Sequence, residues 1–101
     1  MVKHVVSWKI KEFAEGRDKS SNLLWMKELL LSLIEKVPSI DSLEVGFNSA
    51  KADPANFDII LITTHGSFKE LESYQKHPEH VKMAKIIGEL RESRSCVDFE
   101  I

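Results

Sequence analysis

The chain has 101 residues, a mass of 11.6 kDa, a 43% hydrophobic share and a 30% charged share, which is the balance of one folded domain over residues 1–101 with no room for a second. Its 14 Lys and Arg against 16 Asp and Glu give a net charge of −2, which excludes the basic excess of a nucleic-acid binder. One Cys excludes an internal disulfide, and no apolar run approaches the roughly 18 residues of a membrane span.

The first run, Val2 to Trp8, is short and rich in β-branched residues, so it reads as a strand. One face carries Val2, His4, Val6 and Trp8; the other carries Lys3, Val5, Ser7 and Lys9. Charge interrupts the opening residues, so they are not expected to be a signal peptide. With a single Cys, a cytoplasmic, reducing setting is expected. Lys9 to Gly16 reads as a polar loop. Ser20, Ser21 and Asn22 offer N-caps for a helix, with Asp18 adding negative charge near its start. Leu23, Met26, Leu30, Leu33 and Val37 recur on one helix face, and Pro38 stops it.

Ile40 to Phe47 alternates, with Leu43, Val45 and Phe47 on one side. After a loop containing Asp53-Pro54, Phe57 to His65 is the clearest strand. Ile59 and Leu61 share one face and Ile60 and Ile62 the other, which predicts a central strand covered on both sides. Ser67-Phe68-Lys69-Glu70 is a capping box that opens a short helix through about Gln75. Pro78 starts a second helix to about Arg91. Ser95 to Ile101 closes as a strand, with Val97, Phe99 and Ile101 on one face.

The order β-α-β-β-α-β, with its second helix broken, predicts an α+β, ferredoxin-like fold with a four-stranded antiparallel sheet. Helices cover one face of such a sheet. The other retains apolar side chains such as Ile60 and Ile62, each worth roughly 1.5–3 kcal/mol on burial. A homodimer with its sheets face to face is therefore expected.

The densest chemistry lies in Tyr74-Gln75-Lys76-His77-Pro78-Glu79-His80-Val81. His80 shares a helix side with Met83, Ala84 and Ile87, so it faces inward. A helix N-terminus disfavours a protonated imidazole, which leaves a neutral His able to accept a proton. Pairing of the first and third strands sets His4, Val6 and Trp8 on a face with Leu61, Thr63 and His65. These six residues are the expected ligand-binding wall, and Tyr74 and His80 the candidate catalytic pair, since Tyr plus neutral His can bind a carbonyl and move a proton. A buried His that satisfies a backbone group, with Tyr sealing the core, accounts for the same residues. Four His without a Cys cluster or ligand spacing give no expectation of a metal, and no motif calls for a cofactor. Cys96 reads as a small strand residue. Asp98 reads as an edge charge, and Lys82, Lys85, Arg91 and Arg94 as a solvated face.

Five segments in register resemble the stress-responsive dimeric α/β barrel family, called Dabb. They are Val2–Val6, Pro38–Gly46, Phe57–Leu61, Tyr74–Val81 and Leu90–Phe99. The resemblance implies a ferredoxin-like subunit and a dimer whose two sheets form a barrel. A plant member of the family performs an aldol-type polyketide cyclisation without a cofactor; by position its tyrosine, its histidine and a pocket histidine fall on Tyr74, His80 and His4. Trp8, Thr63 and His65 depart from that member's pocket walls, so its substrate is not carried over. The expected function is a homodimer that binds an apolar or aromatic small molecule. The alternatives are a cofactor-free cyclase or lyase using Tyr74 and His80, and a purely structural or interaction role.

Overall fold

A computed structural model describes residues 1–101. Its elements are β1 (Val2–Ile10), β2 (Phe13–Ala14), β3 (Arg17–Asp18), α1 (Lys19–Lys36), β4 (Ser42–Phe47), β5 (Ile59–His65), α2 (Phe68–Lys76), α3 (Pro78–Leu90) and β6 (Arg91–Glu100). The main sheet has the order β4-β5-β1-β6 with every neighbour antiparallel. This is the expected ferredoxin-like α+β arrangement. The alternation of β1 and β5 is matched by their burial: Val2, His4, Val6, Trp8 and Ile10 are buried, as are Ile59, Leu61, Thr63 and His65.

Three local features differ from the sequence expectation. Part of the polar loop after β1 is a small hairpin, β2–β3, turned at Glu15 and Gly16. Both have positive φ, 53° and 77°, as a type I′ turn requires. The cap of α1 is Asp18 rather than Ser20–Asn22; its side chain accepts from the Ser21 amide. That frees Asn22 to become a buried clasp between the hairpin and α1. Its Nδ2 donates to the Ala14 carbonyl at 3.1 Å, and its Oδ1 accepts from Arg17 Nε at 2.9 Å. Finally, β6 begins at Arg91, directly after α3, because it pairs with β1 along its full length.

Met26, Leu30, Leu33 and Val37 seal α1 onto the sheet. Ser67 caps α2 by accepting from the Glu70 amide. His77 ends α2 and caps α3, its Nδ1 accepting from the Glu79 amide, with Pro78 next in the first turn. The break therefore places His80 at the third position of α3. On the sheet face without helices, Val5 stands opposite Ile62 on one side and Val97 on the other. Val97 is 62% exposed and Phe99 41%, so an apolar surface remains on the face where the sequence anticipates one.

Candidate functional site

A cavity of about 300 Å³ opens between the sheet and the α2–α3 pair. From the sheet come His4, Val6, Trp8 and Leu61; from the helices come Tyr74, His80, Met83, Ala84 and Ile87. Six of the eight site residues expected from sequence thus line one space. Thr63 and His65 do not. They lie behind it, fully buried, where the α1–β4 connection covers the end of β5. His65 Nδ1 donates to the Ser39 carbonyl at 2.8 Å. Its Nε2 must then accept, here from the Thr63 hydroxyl at 2.8 Å. With both ring nitrogens engaged, His65 supports the site and has nothing left to offer a ligand.

Tyr74 sits at the centre of four rings. Its centroid lies 4.5 Å from His80, 5.0 Å from His65 and 5.9 Å from His4. The Tyr74 hydroxyl and His80 Nδ1 are both buried, and neither meets hydrogen-bond geometry with a protein partner, although the Gln75 backbone lies close enough to His80 to favour its protonated form. Such atoms are uncommon in folded proteins and costly to maintain. Burial pushes the Tyr74 phenol well above its usual range, against the opposing pull of Arg94. The phenol is therefore a hydrogen-bond donor at neutral pH. Burial also holds His80 below the usual imidazole range, with His4 and Arg94 adding to the effect and the Gln75 backbone opposing it. His80 is therefore a neutral imidazole.

The third group was hidden by sequence distance. His4 Nδ1 lies 2.5 Å from Asp98 Oδ1, across 94 residues. A carboxylate only accepts, so Nδ1 carries the proton and donates to Asp98, which fixes the orientation of the ring. Asp98 is thus a positioning group rather than the surface charge the sequence suggests. It belongs to a row on β6: Arg94 pairs opposite Trp8, Cys96 opposite Val6 and Asp98 opposite His4. Arg91 and Arg94 are exposed, as expected of a solvated face, and that face borders the cavity, which both of them line. Strand parity was the available signal for Arg94, Cys96 and Asp98, since Val97 and Phe99 face the other way, whereas Arg91 is at an odd position and follows a register shift at Lys9–Ile10 that parity does not foresee.

His4 Nδ1, Cys96 Sγ and Asp98 Oδ1 are also the one set of three metal-ligand atoms brought together, a grouping that no spacing along the chain signals. Cys96 Sγ is 3.6 Å from each of the other two. Ligands on a tetrahedral zinc sit roughly 3.4 Å apart for bonds of about 2.0–2.3 Å. The 2.5 Å His4–Asp98 contact is a hydrogen bond by that measure. Burial, and then the Asp98 charge, push the Cys96 thiol up, so it is a neutral thiol.

The two depressed imidazoles carry a pH prediction. Burial is the main cause for both His65 and His80, so the unfolded chain binds more protons than the folded one below about pH 6.5. Stability then rises with pH across that window and is lost as pH falls through it. Urea unfolding is expected to show a lower free energy at pH 5.5 than at 7.5, with a shallower slope in His80→Ala. A flat wild-type profile contradicts this.

Comparisons with known proteins agree with this architecture. The family model for the stress responsive A/B barrel domain, Dabb, matches residues 2–101. No curated protein matches the chain by sequence. Among solved structures, a dimeric protein of unknown function and ferredoxin-like fold from Bacteroides fragilis is 33% identical, with a TM-score of 0.79 over 99% of this chain and 95% of that one. A dimeric ferredoxin-like protein from Thermobifida fusca superposes with a TM-score of 0.85 at 18% identity, covering 99% and 90%. The hydroxynitrile lyase of Passiflora edulis gives 0.82 at 17% identity, covering 99% and 92%. At these last two identities the likeness is one of fold. No helix is long and apolar enough to cross a membrane. With the family model spanning all but the first residue, the chain belongs to the stress responsive A/B barrel, or Dabb, family.

Proposed function

We propose that the chain acts as a homodimer, paired through its helix-free sheet face, and binds an apolar or aromatic small molecule in the cavity between sheet and helices. The observation that carries this is a cavity walled by Val6, Trp8, Leu61 and Met83 and lined also by Tyr74 and His80, each of which holds a buried polar atom, Oη and Nδ1, outside hydrogen-bond geometry with the protein. A few fixed polar groups in an apolar cavity are what orient a small ligand. At about 300 Å³ the space suits a compact, single-ring molecule. The dimer is supported by the apolar face carrying Val5, Ile62, Val97 and Phe99 and by solved relatives described as dimeric. The free Cys96 suits a reducing, cytoplasmic setting.

A second reading is favoured by the His4–Asp98 pair. A positioned imidazole, a neutral His80 and a phenol donor are the parts of a cofactor-free cyclase or lyase. Tyr74 would donate to a carbonyl oxygen, and His80 or His4 would take a proton from the neighbouring carbon. The Passiflora edulis relative, a lyase by name, suits that class of chemistry.

Thermal unfolding of wild type and His80→Ala against aromatic acids, β-keto acids and quinols tests both readings. A ligand at about 100 times its Kd adds about 2.7 kcal/mol to the folded state, a shift of several degrees for a domain of this size. The expected result is a hit on wild type that shrinks in His80→Ala, followed by product formation only if the second reading holds. Equal shifts in both proteins, or none, would remove the ligand site and favour a structural role.

A further inference from the structure

The cavity mouth carries a charge pattern that the walls do not need. Arg91 stands where α3 passes into β6, opposite Ile10, and Arg94 stands opposite Trp8. Both line the cavity. Neither is within ion-pair distance of a carboxylate, although the chain has more acids than bases. The positive charge of Arg94 is felt by Tyr74 and His80 alike, so it reaches the polar end of the cavity. No carboxylate lines the cavity, and Asp98 of the same strand is bound to His4. Cys96, the residue between, is a neutral thiol. Two guanidinium groups and no lining carboxylate leave this rim positive.

Guanidinium is the side chain best matched to a carboxylate, which it holds through two parallel hydrogen bonds. Beside it, the low-polarity walls of Val6, Trp8, Leu61 and Ile87 exclude water and strengthen the attraction. A ligand that satisfies both parts is an amphipathic anion, with an apolar body inside and a charged end at β6. The cavity volume limits that body to about one ring.

Building on the reading of the cavity as a small-molecule site, we propose that Arg94, with Arg91 beside it, makes the site selective for small monocarboxylic acids with an aromatic or aliphatic body. The carboxylate docks on the arginines, and the far end of the ligand meets the Tyr74 hydroxyl and His80.

Calorimetric titration with 4-propylbenzoate and its neutral isostere 4-propylbenzamide tests this at pH 7.5. Wild type is expected to bind the acid at least tenfold more tightly than the amide. Arg94→Gln keeps a polar, extended side chain on an exposed strand and removes the charge. It is expected to weaken the acid at least tenfold and to leave the amide within about twofold. Acid and amide bound equally by wild type would overturn the carboxylate assignment while leaving the ligand site intact. The same holds if the acid preference survives in the Arg91→Gln/Arg94→Gln double variant. Binding of neither probe by wild type would overturn the reading of the cavity as a ligand site, and this assignment with it.

Discussion

Replacing Ile62 with aspartate is expected to leave each subunit folded and to take the dimer apart. Ile62 lies on β5, opposite Val5 of β1 and Glu44 of β4, on the face that no helix covers. It is only half-buried in the single chain, so a carboxylate there stays hydrated in the monomer and costs the subunit little beyond about 1 kcal/mol of strand preference. Between two stacked sheets the same carboxylate would lose its water, once in each copy. Leaving buried charges unpaired costs several kcal/mol. At about 4 kcal/mol, the dimer dissociation constant rises roughly a thousandfold. Lys3 and Glu44 mark the charged margin of the same face, the usual place for charge at an interface. Sedimentation velocity at micromolar concentration, with far-ultraviolet circular dichroism as the folding control, reads the outcome. A wild-type monomer, or an Ile62→Asp dimer, would falsify the face-to-face arrangement.

Tyr74→Phe is expected to act in the opposite sense on stability, making the protein more stable and less able to bind. The Tyr74 hydroxyl is fully buried without a protein partner. Leaving such a group unsatisfied costs about 1–3 kcal/mol, and phenylalanine removes the group while keeping the ring that packs against His4, His65 and His80. A gain of about 1 kcal/mol corresponds to a rise of roughly 4–8 °C in Tm for a domain of this size. Ligand-induced stabilisation should fall in the same variant, because the donor proposed to orient the ligand is removed. Such a trade of stability for activity is common at sites held in a costly arrangement. A drop in Tm, or unchanged ligand response, would show that the hydroxyl serves packing instead.

How much of this was legible beforehand depends on the range of the interaction. The helix-facing and helix-free sides of β1 and β5 follow from alternation, because successive strand residues point to opposite faces. The capping box at Ser67–Glu70 and the break at Pro78 are equally local. They fix where His80 falls, and with it the side shared by Met83, Ala84 and Ile87. The β2–β3 hairpin was missed because its signal is a single Glu15-Gly16 turn between two-residue strands, too short for periodicity. Asn22 read as a cap candidate; in fact Asp18 caps the helix, and Asn22 turns inward to hold the hairpin.

The cavity shows the same division. Its apolar wall and its Tyr74–His80 pair were legible from strand parity and helix phase. Thr63 and His65 share the right parity, yet the Ser39 carbonyl closes over that end of β5 and consumes His65. Arg91, Arg94 and Asp98 carry ordinary surface chemistry in sequence. They became part of the site because β6 pairs with β1 from Val2 to Ile10, which sets Asp98 against His4 and Arg94 against Trp8. By itself, then, the sequence determined the order of the helices and of the four main-sheet strands, the buried faces of β1 and β5 and the residues that look inward from the helices, since each depends on neighbours within about four positions. Only the tertiary structure decided which charges meet which rings. Strand register joins residues 86 and 94 positions apart, and local periodicity carries no information about that pairing.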